Sequence, residues 1–244
     1  MPLLTEEQKL EKKILSRLQK AIYDYRLIED GDRLLVGLSG GKDSLCLLHL
    51  LAMRQRIHKP RFTVEALHIR MENIKYESDL GYLEDFCQDR GVKFHVVTTS
   101  FDAHTDNRKS PCFLCSWNRR KQLFQMAQQL GCNKIALGHH ADDIIHTAMM
   151  NLYFQGSFST MPVMLKMRKM PLTIIRPLCL QSEADIKVYA LQHDFRKQEK
   201  LCPYENDSHR ADMADLFKQI EQMSAEARYS VWRALEREHK LVEF

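Results

Sequence analysis

Apolar residues recur at helical intervals almost from the start of the chain. Leu10, Ile14, Leu18, Ile22 and Tyr25 lie three or four residues apart, so residues 6–26 are expected to form an amphipathic helix. Thr5 and Gln8 stand ahead of it at capping-box spacing. Gly31-Asp32 then turns the chain into Arg33-Leu34-Leu35-Val36-Gly37-Leu38, a short apolar run with strand character. Ser39-Gly40-Gly41 breaks that run, and Asp43 to Arg54 carries an apolar helical face. Further strands are expected at Phe62–Ile69, Lys93–Thr98, Lys134–Leu137 and Thr173–Ile175, with helices near 77–89, 114–130, 142–153 and 182–192. Strands alternating with helices imply an α/β fold, here a mostly parallel five-stranded sheet with helices on both faces. Met213, Leu216, Phe217, Ile220 and Met223 share one helical face in the tail, and a charged helix follows near 225–239. The expected layout is an N-terminal helical extension over 1–30, a core over 31–203 and a C-terminal helical appendage over 204–244.

Composition adds exclusions. The 244 residues are 44% hydrophobic and 28% charged, ordinary for a globular chain and unlike a disordered or fibrous one. The apolar stretch Leu45–Met53 is interrupted by His49 and falls short of the roughly 20 residues a membrane span needs. Charges of both signs between Thr5 and Lys13 do not make a signal peptide. A cytoplasmic protein without a membrane partner is expected. A net charge of +4 neither demands nor excludes a nucleic acid, so local patches decide.

The hexapeptide Ser39-Gly40-Gly41-Lys42-Asp43-Ser44 between strand and helix is the strongest chemical signal. Two glycines let backbone approach a phosphate, and the amides at a helix N-terminus attract an anion. Ser39 and Ser44 add hydroxyls and Lys42 a positive charge. The spacing is neither the Walker A loop nor the dinucleotide fingerprint. A carboxylate at a phosphate-binding turn needs a bridging cation, so Asp43 implies Mg2+. A second cluster, Gly138-His139-His140-Ala141-Asp142-Asp143, follows the strand ending at Leu137. In a parallel sheet both clusters reach one crevice beyond the strand ends. His68, near another strand end, is either a member of that pocket or a core histidine.

Seven cysteines without export signals argue against a disulfide framework. Cys46, Cys87, Cys132 and Cys179 sit in apolar contexts and read as buried thiols. Cys112 and Cys115 form a Cys-x-x-Cys pair, with Cys202 as the candidate third ligand. Taken alone, such a pair favours zinc or redox chemistry over an iron–sulfur cluster. Arg108, Lys109, Arg119, Arg120 and Lys121 bracket the pair, and Lys166, Arg168, Lys169 and Arg176 form a second basic group among methionines. Both groups suit a polyanion, although a solvated charged face explains them equally well.

The hexapeptide resembles the PP-loop of the ATP pyrophosphatases, and residues 6–203 resemble the tRNA 2-thiocytidine synthetase (TtcA) family. The resemblance runs through Ile28-Glu29-Asp30-Gly31-Asp32-Arg33, Cys-x-x-Cys before Arg119-Arg120, Leu137 to Ile144, Met161-Pro162 and Ile175-Arg176-Pro177-Leu178. It implies a PP-loop (HUP-like) fold, ATP with Mg2+, a 4Fe–4S cluster on Cys112, Cys115 and Cys202, and tRNA as substrate. The implied reaction adenylates C2 of an anticodon-loop cytidine and replaces its oxygen by sulfur. Ser39, Gly40, Gly41, Lys42, Asp43, Ser44, His68, Gly138 and His139 would then bind the nucleotide, with Lys42, Asp43, Asp143 and Arg119 in catalytic roles. A sulfur donor such as a cysteine desulfurase, and a homodimer, belong to the same expectation. The rivals are a uridine thiolase, a lysidine-type synthetase and a zinc-stabilised RNA-binding protein. Many relatives carry a second Cys-x-x-Cys where this chain has Cys202-Pro203-Tyr204-Glu205, which suits a three-thiolate cluster better than a four-thiolate zinc.

Overall fold

The computed structural model describes residues 4–57, 59–72, 79–101, 111–196 and 209–244. Its elements run α1 (Glu6–Asp24), β1 (Arg33–Gly37), α2 (Lys42–Gln55), β2 (Thr63–Met71), α3 (Leu80–Gln88), β3 (Lys93–Thr99), α4 (Pro111–Gln129), β4 (Lys134–Ala136) and α5 (Ala141–Gln155). They continue through β5 (Met164–Lys166), β6 (Thr173–Ile175), α6 (Glu183–Gln192), α7 (Arg210–Met223), α8 (Ala227–Arg237) and β7 (Val242–Glu243). Every helix and strand expected from the sequence is present, with boundaries shifted by a few residues.

The sheet order is β3-β2-β1-β4-β6-β5-β7. The five expected strands, β1, β2, β3, β4 and β6, are mutually parallel. The sheet has seven strands rather than five: β5 joins β6 antiparallel, with Met164 opposite Ile175, and β7 joins β5. These two additions are three and two residues long. Such short segments carry no periodicity of their own and exist because a neighbouring strand supplies hydrogen-bond partners.

β1 shows how the layers form. Leu34, Leu35 and Val36 are all fully buried, and alternate side chains leave opposite faces of a strand. Leu34 and Val36 enter one apolar cluster with residues of α1, α2, α3, α5 and α6, while Leu35 enters a second with Leu123 and Ala127 of α4. A strand buried on both faces reads as a continuous apolar run. Each such side chain contributes about 1.5–3 kcal/mol of burial.

The terminal helices close on this core. In α1, Thr5 accepts from the Gln8 amide and Gln8 returns a bond to the Thr5 amide. Lys13 and Arg17 pair with Asp185 at 2.8 and 3.0 Å. The Tyr25 hydroxyl accepts from Trp232 of α8 at 3.0 Å and donates to Glu236 at 2.5 Å. Ile14 and Leu18 of α1 and Leu235 of α8 share the main cluster with β1. Cys46, Cys87, Cys132 and Cys179 are buried, as their contexts imply, and burial pushes each thiol's pKa up. Among the described residues no helix is long and apolar enough to cross a membrane.

Candidate functional site

The chain passes from β1 to β2 on one side and returns to β4 on the other, so the carboxyl ends of β1 and β4 flank a topological switch point. The Ser39–Ser44 loop leaves the end of β1, and Gly138 to Asp143 leaves the end of β4. The two backbones nearly touch. A Cβ on Gly138 would stand 3.0 Å from the Asp43 carbonyl carbon and oxygen and from the Ser44 nitrogen. Glycine at 138 is what permits this approach.

The first loop is shaped for an anion. Gly40 has φ +80°, which a larger residue adopts only with strain. Gly41 caps α2 without a side chain of its own, and its amide donates to the Ser39 hydroxyl at 3.3 Å. The Ser44 hydroxyl donates to the Gly41 carbonyl at 2.9 Å and lies 3.1 Å from the Ser39 hydroxyl, bracing the turn from within. Lys42 reaches Glu183 at 3.0 Å and Asp43 at 3.2 Å. Burial lowers its pKa, but these two carboxylates outweigh that and raise it, so the ammonium is secure.

Three carboxylates surround His140. Its Nε2 is 3.8 Å from Asp43 and 3.5 Å from Asp143, and its Nδ1 is 3.5 Å from Asp142. Burial opposes protonation of His140, yet Asp142, Asp143 and Asp43 together raise its pKa. His139 behaves oppositely: burial, then the nearby Arg176, push its pKa down to about 4. Neutral His139 takes a bond from Arg176 Nε at 3.3 Å. Asp143 also accepts from the His140 amide at 3.1 Å, completing the cap of α5. Its other oxygen faces Arg210 at 3.8 Å.

Asp142 is the hub behind this shell. It accepts from the Glu183 amide at 2.8 Å and from Arg228 of α8 at 2.8 Å. Burial works against its ionisation, but His140, Arg228 and the Glu183 amide hold the carboxyl well below its usual range. His140 and Asp142 belong to the Gly138–Asp143 cluster without an individual role being legible there, and Arg228 was not anticipated. The motif itself signalled the first two. Nothing local could flag Arg228, which lies 86 positions from its partner.

Two further residues differ in setting from their sequence contexts. His68 is 1% exposed and its Nδ1 meets the Leu38 carbonyl at 2.7 Å, fixing the strand end from which the Ser39 loop departs. Burial lowers its pKa, and Arg119 adds to that. Arg176, grouped above with surface cations, is buried at 8% exposure and donates to the Pro162 carbonyl. It therefore braces the site instead of facing a polyanion, whereas Lys166, Arg168 and Lys169 are exposed. Met161 and Met164 pack on the main cluster, and Met167 and Met170 on the second.

Cys112 and Cys115 occupy the first turn of α4, the former exposed and the latter half-buried. α4 enters from the carboxyl end of β3, so its first turn sits on the same sheet edge as the two loops. Cys115 and Leu114 pack beside Met71 and Phe101 at the ends of β2 and β3. Residues three apart on a helix share a face, so both thiols can serve one centre. Cys202, Arg108 and Lys109 lie outside the described residues. Among the described residues no three His, Cys, Asp or Glu side chains form a ready cage for a metal. Mg2+ takes one or two carboxylates and otherwise phosphates and water. The buried Asp43 Oδ1 accepts no hydrogen bond of good geometry but lies 3.2 Å from the Lys42 ammonium, so an ion bound there would share this oxygen with Lys42.

The sequence profile of the PP-loop domain family ATP_bind_3 matches residues 7–201. A tRNA-cytidine(32) 2-sulfurtransferase of Francisella tularensis subsp. novicida is 33% identical over 235 residues, covering 93% of this chain and 86% of the relative. The tRNA-cytidine(32) 2-sulfurtransferase of Geobacter metallireducens is 34% identical over 235 residues, covering 94% and 91%. Among solved structures, the U34-tRNA thiolase NcsA from Methanococcus maripaludis with its 4Fe–4S cluster aligns with a TM-score of 0.80 at 26% identity, covering 95% of this chain and 79% of that one. NMN synthetase from Francisella tularensis shares the fold at a TM-score of 0.50 and 15% identity, covering 98% of each chain. With the glycine-bounded phosphate loop, the matching profile and relatives of this similarity, the chain belongs to the PP-loop family and, within it, to the tRNA-cytidine 2-sulfurtransferases.

Proposed function

We propose that the chain is an ATP-dependent tRNA sulfurtransferase that replaces the C2 oxygen of an anticodon-loop cytidine, position 32 in its relatives, by sulfur. The observation that carries this reading is the shared edge: the PP-loop, the Gly138–Asp143 turn and the cysteine-bearing turn of α4 all project from the carboxyl ends of the parallel strands.

In this reading the amides of Gly40 and Gly41, with Ser39 and Ser44, hold the triphosphate, and Lys42 neutralises its charge. Asp43 would hold Mg2+, which would supply Lewis-acid polarisation of the phosphoryl oxygens. The base oxygen attacks the α-phosphorus, pyrophosphate leaves, and C2 then carries AMP as a leaving group. Sulfide then attacks C2, the C2–S bond forming as the C2–O bond breaks and AMP leaves. Asp143 orients substrate or a second cation, and His140 holds the carboxylates apart. Arg119, four residues beyond Cys115, stabilises charge during attack. Cys112, Cys115 and Cys202 would hold a cluster, whose thiophilic iron would assist the sulfur transfer. The target base leaves its stack cheaply because it lies in a single-stranded loop.

A cysteine desulfurase-type donor supplies the sulfur as a persulfide, which a two-electron thiol reductant brings to the sulfide level; the active unit is a homodimer, and the compartment is the cytoplasm. The test is nucleoside analysis of tRNA from cells lacking the gene and from cells given it back. Loss and recovery of 2-thiocytidine supports the assignment. Loss of a thiouridine or lysidine instead would transfer it to a sister activity, and unchanged tRNA would refute it.

A further inference from the structure

One surface feature is not used by the reaction above. Phe113 and Trp117 of α4 are 43% and 51% exposed. They are four residues apart and therefore neighbours on one face of α4. Lys121, another turn along, places its ammonium 5.6 Å from the Trp117 ring centre. Arg120 beside it is exposed as well. The same helix buries Leu123 and Ala127 against the sheet. Single exposed apolar residues are common and need no explanation. This pair differs because exposed Cys112 directly precedes Phe113.

The charge pattern says what partner fits. Between Asn107 and Ala141 there is no Asp or Glu, although the chain holds 32 acidic residues. Arg108, Lys109, Arg119, Arg120 and Lys121 fall in that interval, whereas Lys134 of β4 is buried against Asp32. An aromatic pair on a carboxylate-free, cationic helix matches a strand with flat bases and a negative backbone. Every base has a π-face, and the adjoining cations track the phosphates.

We infer that the exposed α4 face bearing Phe113, Trp117, Arg120 and Lys121 is a stacking platform for unpaired bases of the RNA loop, holding nucleotides beside the one under reaction. It rests on the tRNA-modifying reading and adds the residues that grip the loop. The platform works by binding, so its loss raises the KM for RNA and leaves ATP affinity unchanged.

The test uses the anaerobically purified full-length holoenzyme and a synthetic cytidine-containing anticodon stem-loop. Binding of the stem-loop should quench Trp117 fluorescence, and the Trp117→Phe protein should lose that quench while keeping its affinity. Trp117→Ala should weaken RNA binding about tenfold, with ATP affinity and melting temperature unchanged. Phe113→Ala should act in the same direction. Wild-type affinity in both alanine variants overturns the platform and leaves the thiolation reading standing. Unchanged RNA affinity with slower thiolation would place a sulfur-delivering protein on this face instead, which also overturns it. A wild-type protein that binds no stem-loop overturns both readings.

Discussion

Gly138 is where a single atom decides the geometry of the site. A methyl group there would press on the backbone of Asp43 and Ser44 at 3.0 Å, and neither neighbour is a flexible side-chain end. Gly138→Ala should cost about 1–3 kcal/mol and weaken ATP binding, measurable by calorimetry alongside a thermal melt. Unaltered ATP affinity would show that the two loops need not touch. Asp43→Ala should cut AMP formation by about a hundredfold or more while tRNA affinity stays constant; a near-normal rate would remove its metal role. His49 gives a pH signature away from the site. Neutral, it accepts a hydrogen bond from Arg90 Nε at 2.9 Å. Burial, then Arg90, push its pKa from 6.5 down to about 4. The unfolded chain takes up the proton first, so the stabilisation is complete above about pH 6.5 and fades as pH falls towards 4. His49→Gln keeps an acceptor but cannot titrate, so urea midpoints recorded across this range should fall less steeply in the variant. Equal slopes would show that His49 does not set this dependence.

Among elements, those with a strong internal period were legible and those created by pairing were not. α1 announces itself through Thr5, Gln8 and its apolar stripe, and β1 through three consecutive apolar residues destined for two faces. β5 and β7 are held by partners rather than by pattern. The same limit applies to contacts between distant elements. α8 could be read as a charged helix, but nothing in that pattern shows Arg228 reaching Asp142 and Glu221 at 2.8 and 2.9 Å. α8 thereby pins the turn that carries His140. Arg228→Gln should cost about 1 kcal/mol and weaken ATP binding, with partial recovery in Arg228→Lys. Melting curves with and without nucleotide check this; identical nucleotide stabilisation in wild type and variant would confine Arg228 to a surface role.

At the scale of the molecule, the parallel sheet gathers residues from far-apart segments at one edge. The two facing turns were legible as a pair because each combines glycine with chemistry-bearing residues directly after an apolar strand. The grouping of Arg176 with surface cations failed because charge alone does not reveal burial. His68 could be read two ways because a polar residue at a strand end suits either a pocket or a capped strand; the Leu38 carbonyl supplies its partner. The central claim is that one crevice activates and thiolates the same nucleoside. Its most direct measurement uses tRNA carrying a heavy oxygen isotope at C2 of the target cytidine, with mass analysis of the nucleotide released. The expected result is the heavy oxygen in the phosphate of AMP, in step with 2-thiocytidine formed. AMP free of the label while thiolation proceeds would contradict it.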